Sequence, residues 1–492
     1  MEALTAWLGI KTAAGARALG DRVGMWQDAS GARAASWRFA SVQAALRDSA
    51  AAEKLSTAFG ELAELETELA PILKPASELE TETYGELLFL GEHTRGLNFI
   101  PFFLTLWSIL RIYVLPGLSM LLPLAVVVLP YFIIRFLMNV PMDRNTYWDM
   151  LYKMLKGQMP VGSAAAEASP TNPLKFLSQL AWAGGTLFQA VAQPYWNYKH
   201  LRKVDEIIVG KAGTIRQLRH LYDRISAIAA TVGIEMVRNP LAAASSREAL
   251  ADVLTDPVPA RHCLRLLGQL EALTALATAV GVCPARFGSA GTSPKFTDCF
   301  DFHVGAGLAS KPFTVDLGAK NHVLLTGPNR GGKSTVLRAV AASVTLAHTY
   351  GCAFGSDCHL PYLARLDCCL KPDDLPGTKS RFEREVEFTA GTLVGHGPRL
   401  VLIDELYHST NPPDALEACR YYCQRLWTKP GTYSIISTHI FQLVDEAGDG
   451  VQRLCCPAED LGGGRIKFLY GLREGVCRVS SVHELMRGAF CG

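Results

Sequence analysis

The chain has 492 residues, about three times the length of a typical single domain, so two or three domains are expected. Lys and Arg number 48 against 46 Asp and Glu, which leaves a net charge of +2, and 49% of the residues are hydrophobic. This balance excludes a disordered chain and a polybasic nucleic-acid tail, and it allows a large buried core.

Residues 1–96 are predicted to form a helical N-terminal region. The first 50 residues are rich in alanine with basic residues spaced among them, as in a transit peptide. Acidic residues interrupt that pattern and favour an ordinary helix over organelle import; they are Glu2, Asp21, Asp28 and Asp48. From Glu61 to Glu92 there are nine glutamates and one lysine. Leucines at helical spacing in this stretch predict a solvated helix that would repel DNA phosphates.

An apolar segment follows at 97–138. The run from Ile112 to Ile134 holds 23 residues without a charge, more than the ~20 needed to cross a bilayer. Pro116-Gly117 indicates a break between this run and the uncharged residues before Arg111. The segment therefore predicts a transmembrane hairpin, with helices at 97–115 and 118–138, that returns the chain to the side on which it began. A pair of buried core helices is the alternative.

Residues 139–280 are predicted to form a helical core or lever-like region. The sequence VGSAAAEASPT at 161–171 has the small, polar composition of a linker. Basic residues between Lys199 and Arg224 are interleaved with acids, which favours a solvated helix over a surface that follows a phosphate backbone. The thirteen cysteines form no Cys-x-x-Cys pair, so they are expected to be small core residues in a reducing compartment.

The most specific pattern begins at His322. The apolar stretch His322–Thr326 predicts a strand, which runs into Gly327-x4-Gly332-Lys333-Ser334 and then into a helical pattern that reaches Tyr350. Glycines let backbone N–H groups turn around phosphates, while the N-terminus of the helix adds the positive end of its dipole. Lys333 is predicted to reach the β- and γ-phosphates of a nucleotide, and Ser334 to ligate Mg²⁺.

Two later strands end in residues that suit nucleotide chemistry. Arg399-Leu-Val-Leu-Ile-Asp-Glu405 is an apolar strand that ends in two carboxylates. Asp404 is expected to complete the Mg²⁺ shell, and Glu405 to polarise the attacking water. The third strand, Tyr433 to His439, ends in a histidine placed to sense the γ-phosphate, although a histidine at a strand end is often an ordinary surface residue.

These stretches together resemble the ATPase domain of the MutS mismatch-repair family, an ABC-type P-loop ATPase. The matching segments are TGPNRGGKSTVLRAVAASVTLAHTYGCAFG at 326–355, LVLIDELYHSTNPPDALEA at 400–418 and SIISTH at 434–439. Ser380-Arg-Phe-Glu-Arg-Glu385 resembles the start of the family's signature helix. Lys311-Pro-Phe313 resembles the segment whose aromatic ring stacks on adenine. The resemblance covers residues 280–450 and is faint before Gly281.

The resemblance implies an α/β P-loop NTPase domain of the ABC/MutS type at 281–492, preceded by a mostly α-helical region with the hairpin. It implies ATP and Mg²⁺ as cofactors, with Glu405, Lys333 and His439 as catalytic residues. Ser334 and Asp404 would be the metal ligands. It also implies a homodimer or heterodimer, because Ser380 would complete the partner's nucleotide site. The residues expected to bind the nucleotide are Phe313, Gly327, Pro328, Asn329, Arg330, Gly331, Gly332, Lys333, Ser334, Thr335 and Ser380.

Departures from the family pattern bear on function. Arg330 stands where the family usually has methionine, and Tyr407-His408-Ser409 replaces Gly-Arg-Gly. No amino-terminal mismatch-reading module is recognisable. The preferred interpretation is a membrane-anchored MutS-like ATPase in which ATP-driven dimer closure and hydrolysis move helical arms. Its ATPase domain would face the cytosol or the matrix or stroma of an organelle.

Two other functions stay open. A DNA-binding member acting in mismatch repair or recombination would bury the apolar segment. The balanced charge and the acidic stretch at 61–92 argue against it, since DNA-binding proteins usually show a basic surface. A transporter ATPase fits the ABC resemblance, but one hairpin is too small for a substrate pathway without partners. The sequence points to no particular client for the arms.

Overall fold

The computed structural model divides the chain into two compact units. Unit 1 comprises Met1–Glu64, Leu221–Arg238 and Cys263–Gly492, and unit 2 comprises Leu65–His220 and Asn239–His262. The structure describes residues 1–480 apart from 48, 75–76, 92, 101, 156–172, 242–245, 290, 305–310, 371–379 and 463–464. The predicted linker at 161–171 therefore lies outside the described residues.

Helices dominate the chain up to residue 278, and strands alternate with helices after it. The helices are α1 (Glu2–Trp7), α2 (Ala13–Val23), α3 (Ala29–Arg47), α4 (Ala51–Ile72), α5 (Glu78–Gly85), α6 (Phe103–Ile109), α7 (Leu115–Phe132), α8 (Arg144–Leu155), α9 (Pro173–Thr231), α10 (Ser246–Thr255), α11 (Val258–Thr278), α12 (Lys333–Tyr350), α13 (Arg381–Leu393), α14 (Pro412–Trp427) and α15 (Phe441–Glu446). A 3-10 helix covers Arg95–Phe99, and π-helical turns cover Leu110–Val114 and Ile133–Leu137. The strands are β1 (Val282–Phe287), β2 (Lys295–Cys299), β3 (Phe313–Asp316), β4 (His322–Thr326), β5 (Cys352–Phe354), β6 (Asp357–Leu360), β7 (Arg365–Cys369), β8 (Arg399–Ile403), β9 (Thr432–Ser437), β10 (Val451–Cys455), β11 (Ala458–Asp460), β12 (Ile466–Phe468) and β13 (Arg473–Glu474).

A six-stranded sheet in the order β13-β10-β4-β9-β8-β7 carries the sequence motifs. Neighbouring strands from β10 to β7 are parallel, and β13 is antiparallel at the edge. The three strands predicted from the sequence are β4, β8 and β9, with β9 between the other two. Because these strands are parallel, their carboxyl ends meet at one edge of the sheet, which is where ligands bind in open α/β sheets.

Alternate residues of these strands pack on opposite faces of the sheet. Val323, Leu325 and Leu402 join the core that contains α12 and the five-stranded sheet β3-β2-β6-β1-β5. Leu324 and Val401 face the other way, into the core that contains α14. Strands buried on both faces are apolar without alternation, which is why their sequences are unbroken apolar runs. Ten of the twelve described cysteines are buried, as expected for small core residues.

Helices α1 to α3 belong to the same compact unit as the six-stranded sheet, so this unit does not follow the boundaries expected at residues 96 and 281. Leu19, Ala32 and Phe39 are fully buried. Trp26 stacks on His348 of α12 with ring centroids 4.2 Å apart, and its indole N–H donates to the carbonyl oxygen of Leu363 at 3.1 Å. Because these residues are part of the core, the alanine-rich first 50 residues fit the interpretation as ordinary helices better than that as a transit peptide.

Helix α3 lies close to the backbone of Gly351, directly after α12. Gly351 has φ +77°, and a Cβ atom there would lie 2.1 Å from the backbone nitrogen of Ser36. Both the left-handed backbone and the contact require glycine. The side-chain amide of Gln43 donates to the carbonyl oxygen of Val282 at 2.8 Å, and the Ser36 hydroxyl donates to that of Ala285. The start of the chain is thereby held against β1 and α12.

Unit 2 contains the apolar segment, and there the predicted hairpin is wrong. The backbone is helical without interruption from Phe103 to Leu137, through α6, α7 and the two π-helical turns. Leu115 has φ −64° and ψ −45°, and Pro116 lies in the first turn of α7. The π-helical turn before Pro116 shifts the local hydrogen-bond pattern, which lets the helix pass a residue that has no N–H.

Among the described residues, Phe103–Leu121 is the one helix that is long and apolar enough to cross a membrane. Val128–Leu137 is a shorter apolar helix. Length and composition alone are weak evidence, because a core helix of a soluble protein passes the same test.

Acidic residues of the 61–92 stretch pair with basic residues of the 199–224 cluster inside each unit. In unit 2, Lys211 Nζ lies 3.4 Å from a carboxylate oxygen of Glu80 and donates to the Tyr84 hydroxyl at 2.7 Å. In unit 1, Arg224 pairs with Glu61. Cations with carboxylate partners are less available to a phosphate backbone, which favours the solvated-helix interpretation of this cluster.

Candidate nucleotide site

The loop between β4 and α12 has the backbone that its glycines allow. Gly327 has φ +148°, and Gly332, directly before α12, has φ +105°. A Cβ atom at Gly327 would lie 2.9 Å from the carbonyl oxygen of Cys456. Arg330 has φ +65°, a conformation that costs a non-glycine residue about 1–2 kcal/mol. The loop is thus a strained turn at the carboxyl end of β4, as binding loops often are.

This loop forms one wall of a cavity of about 400 Å³. Glu405 and most of the predicted nucleotide-binding residues line it: Phe313, Pro328, Asn329, Arg330, Gly331, Gly332, Lys333, Ser334 and Thr335. The two predicted binding residues that do not line it are Gly327 and Ser380. A cavity of this size, enclosed by a glycine-rich loop and an aromatic ring, suits a nucleotide.

Lys333 lies buried beneath the loop. Its Nζ donates to the carbonyl oxygens of Gly327 at 3.0 Å and Pro328 at 3.2 Å. Burial lowers the pKa of the Lys333 ammonium below its usual range, while the carboxylates of Glu405 and Asp404 act in the opposite direction. A cation held by two loop carbonyls in a buried place is a strong donor for phosphate oxygens.

The two predicted metal ligands converge from α12 and the end of β8. The Ser334 hydroxyl donates to Asp404 Oδ2 at 2.5 Å, and the Ser437 hydroxyl donates to Oδ1 at 2.6 Å. Hydroxyl and carboxylate oxygens are the hard ligands that Mg²⁺ prefers. Ser334 and Asp404 therefore fit this ion, which when bound would neutralise charge on the phosphates.

Glu405 and His439 meet at the edge of the sheet. His439 Nε2 lies 3.4 Å from Glu405 Oε1. The hydrogen bond from His439 holds the pKa of Glu405 below its usual value, and the nearby charges of Lys333 and His408 add to this effect against the cost of burial. Glu405 is therefore ionised at neutral pH, as a proton acceptor must be.

Two residues of the site were missed from the sequence. Ser437 accepts the backbone N–H of Glu405 at 2.8 Å while it donates to the carboxylate of Asp404, so one hydroxyl bonds both the Asp404 side chain and the Glu405 backbone. Its signal was a polar residue at the end of an apolar strand. Tyr470 lines the cavity opposite Gly332, and Lys311 Nζ donates to the carbonyl oxygen of the neighbouring Leu469 at 3.1 Å. No local motif marks Tyr470, because only folding brings it to the loop.

Ser380 caps the helix α13. Its hydroxyl accepts the backbone N–H of Glu383 at 3.2 Å, and the Glu383 carboxylate accepts the backbone N–H of Ser380 at 2.7 Å. The side chain is exposed and lies outside the lining of this cavity. Ser380 was predicted to bind the nucleotide together with the P-loop residues. Within one chain, the structure does not bring Ser380 to those residues.

The loop after Glu405 contains the largest departure from the family pattern. Tyr407 has φ +52°, in the left-handed region where the family pattern has glycine. Its ring packs between Phe382 and Tyr422, and its hydroxyl shares a 2.5 Å hydrogen bond with Thr389. The buried ring offsets the cost of the backbone and joins this loop to α13.

Residues 323–487 match the family model of MutS domain V. Residues 323–487 are therefore similar to a MutS-family domain of the ABC-like ATPase type. The match begins in β4 and includes the P-loop, both carboxylates of β8 and His439, so the resemblance seen in the sequence is confirmed for this part of the chain. Domains of this family bind ATP, and family members act as dimers.

Proposed function

We propose that this chain binds and hydrolyses ATP at the cavity between the P-loop and the ends of β8 and β9. The observation that carries the proposal is the hydrogen-bonded chain from Ser334 through Asp404 and Ser437 to Glu405. It supports the proposal because the side chains that would bind the metal and act as the base lie at one edge of the sheet, beside the buried Lys333.

The reaction follows from these positions. The phosphates would bind Lys333 and the N–H groups at the start of α12, while Phe313 and Tyr470 flank the remainder of the nucleotide. The oxygen of a water molecule forms a bond to the γ-phosphorus as the bond from phosphorus to the β–γ bridging oxygen breaks. Glu405, held by His439, accepts the proton of that water.

The direct test is nucleotide binding by Lys333→Ala. Loss of the buried cation should weaken ATP binding at least about tenfold, since a charged hydrogen bond contributes about 1.5–3 kcal/mol. The control is Lys320→Ala, which replaces a lysine in the loop before β4. This variant should bind ATP as tightly as the unchanged protein does. Equal affinity of the two variants, measured with a fluorescent ATP analogue, would reject the assignment of the cavity.

The proposal includes a dimer in which Ser380 of one copy completes the site of the other. Its support is that Ser380 is exposed and outside the cavity of its own chain. Light scattering with a non-hydrolysable ATP analogue should show an ATP-dependent dimer that Ser380→Ala weakens without loss of ATP binding. A strictly monomeric ATP-bound protein would reject the composite site. In this proposal, dimer closure and hydrolysis move the helical arms of unit 2.

The helix from Phe103 to Leu137 supports the membrane-anchored form of this function. Its 23 uncharged residues between Arg111 and Arg135 would be about 35 Å long, enough for a hydrocarbon core of about 30 Å. Of the Phe103–Leu121 window, 22% is buried. The guanidinium carbons of Arg111 and Arg135 lie 5.7 Å and 5.8 Å from the rings of Trp107 and Tyr131. Aromatic and basic residues at both ends are typical of membrane interfaces.

One crossing would not suffice, because unit 1 contains chain from both before and after this helix. The return crossing that we infer is Phe176–Tyr198 in α9, a second run of 23 residues without a charge, which is less apolar than Phe103–Leu121 because it contains three glutamines and one asparagine. The Tyr198 ring lies 5.8 Å from that of Tyr113, so the charged ends of the two runs lie together. Retention of the protein in membranes after alkaline carbonate washing tests the anchor, and quantitative release by high salt alone would reject it.

The DNA-binding alternative predicts a different result. The pairing of Lys211 with Glu80 and of Arg224 with Glu61 argues against a free basic surface. Titration of matched and mismatched duplexes at equal salt should show no preference. A tenfold preference, about 1.4 kcal/mol, would restore a role in mismatch repair.

A further inference from the structure

Glu405 has a backbone conformation that residues other than glycine seldom adopt. Its φ is +56°, which costs about 1–2 kcal/mol and persists only where the surroundings hold it. Two side chains bond its peptide groups. Ser437 accepts its N–H at 2.8 Å, and Nδ1 of His408 lies 2.9 Å from its carbonyl oxygen. Because a carbonyl oxygen only accepts, the Nδ1 of His408 carries the proton in this contact.

A second acceptor faces the same N–H group. Oε1 of Glu385 on α13 lies 3.5 Å from His408 Nδ1. Glu385 is 7% exposed, and neither of its carboxylate oxygens has a hydrogen-bond partner among the described residues. The Nε atom of Arg381, one turn earlier, is 4.0 Å away. A buried carboxylate without a hydrogen-bond donor is stabilised by any N–H that turns towards it.

We propose that His408 is a positioning residue for Glu405, and that Glu385 competes with the Glu405 carbonyl oxygen for its N–H. With the N–H on Glu405, the left-handed backbone is held and the carboxylate faces the cavity. When α13 moves Glu385 closer, the N–H turns to Glu385 and Glu405 is released from this position.

The competition links the start of α13 to the base. Ser380 is the N-cap of α13, and Glu385 is on its second turn. A ligand that moves the helix start therefore changes the distance between Glu385 and His408. This inference rests on the proposed function, under which Ser380 meets the ATP of a partner copy, and it assigns a route from that contact to the base of the same chain.

The loop has a second attachment besides His408. Tyr407 holds it to α13 through the 2.5 Å hydrogen bond with Thr389 and through its ring contacts. Variants at His408 should therefore fold, and their kinetics should report the position of Glu405. Asp404, Glu405 and Glu385 also line one small cavity with Cys369 and Tyr407, so these three carboxylates lie near one another.

The first experiment compares two substitutions of His408 in the full chain. His408→Ala removes the N–H and should lower kcat about tenfold to hundredfold with KM for ATP unchanged, because misplacing a catalytic group slows the reaction without affecting binding. His408→Asn keeps a donor near the position of Nδ1 and should restore most of the rate.

His359→Ala is the matched control, since His359 also pairs with a carboxylate, Asp357, at 2.9 Å in the same unit but on β6. It should hydrolyse ATP at the unchanged rate. An unchanged kcat in His408→Ala, or equal losses in His408→Ala and His408→Asn, would overturn the positioning role. If the unsubstituted protein does not hydrolyse ATP, the proposed function fails and not this inference alone.

The second experiment measures the competition. Glu385→Gln removes the carboxylate charge at nearly constant shape, and it should raise kcat severalfold because the N–H then stays on Glu405. The same change in a His408→Ala background should have no effect. Additive effects of the two changes on kcat would show that Glu385 does not act through His408.

Discussion

The strands of the six-stranded sheet and the helix from Phe103 to Leu137 are both apolar runs, but they differ in what surrounds them. Leu324 and Leu402 in the strands are fully buried, whereas Leu118 and Leu129 in the helix are 61% and 59% exposed. The strands end in polar groups that bond one another, as Asp404 does with Ser334 and Ser437. Among the described residues, these strands thus find packing and hydrogen-bond partners within unit 1. The helix needs a partner of another kind, which we propose is lipid.

The largest expected effect is at the polar strand ends. Glu405→Gln keeps Lys333, Ser334 and Asp404 for nucleotide binding and removes the proton acceptor. Hydrolysis should fall about 10²–10⁴-fold, which corresponds to about 3–5 kcal/mol in the barrier, while ATP affinity persists. Glu417→Gln, on the exposed face of α14, is the control and should leave turnover unchanged. Full activity of Glu405→Gln in a phosphate-release assay would assign the base to another residue.

The second prediction concerns the exposed helix, where a charge placed within a bilayer should cost about 3 kcal/mol. Leu118→Lys places a charge on a side chain that is 61% exposed, which in water should change stability by less than about 0.5 kcal/mol. Within a bilayer the same charge costs about 2.5–3.5 kcal/mol. Membrane retention after carbonate washing should fall in Leu118→Lys and not in Leu79→Lys, whose site is 73% exposed in α5. Equal membrane retention of the two variants would show that the helix from Phe103 to Leu137 does not lie in lipid.

The packing of the N-terminal helices on the ATPase core predicts a smaller effect. Gly351 and Gly9 both have a left-handed backbone, but nothing lies within 4 Å of a Cβ atom at Gly9. Gly9→Ala should cost about 1–2 kcal/mol for the backbone alone. Gly351→Ala should cost about 1–3 kcal/mol more, because the added atom meets α3. Urea unfolding followed by tryptophan fluorescence measures both. Equal costs would show that α3 is not held at Gly351.

The smallest effect comes from a buried histidine at the same junction. Burial lowers the pKa of His348 to about 4, whereas the unfolded chain has a value of about 6.5. Between these values the unfolded state binds more protons, so the free energy of unfolding falls as the pH falls. His348 should account for about 2 kcal/mol of this loss between pH 7 and pH 5. His348→Leu should be less stable at pH 7 yet lose less on acidification. Parallel pH profiles for the two proteins would show that His348 is not buried in its neutral form.

The nucleotide site was largely predictable because its signals are local. Glycines at positive φ, a lysine at a helix start and acids at a strand end act within a few residues of one another. The strand His322–Thr326 was predicted to the residue. Ser437 and Tyr470 were missed because their roles depend on neighbours far along the chain, Asp404 and the P-loop. The break predicted at Pro116-Gly117 was wrong because a π-helical turn before Pro116 changes the backbone hydrogen bonds so that the helix continues. Proline and glycine end a helix only where the preceding hydrogen bonds do not change in this way.

The sequence by itself determined that this protein has a P-loop and a pair of carboxylates at a strand end, and its resemblance to the MutS family indicated a helix that starts at Ser380. Tertiary structure decided that the first 64 residues belong to the same unit as the six-stranded sheet and that the apolar segment contains one continuous helix from Phe103 to Leu137. It also decided that His408 lies between the Glu405 carbonyl oxygen and Glu385. The physical reason is the range of the interactions. Backbone geometry and capping depend on adjacent residues, whereas burial and competition for a hydrogen bond depend on which distant side chains the fold brings together.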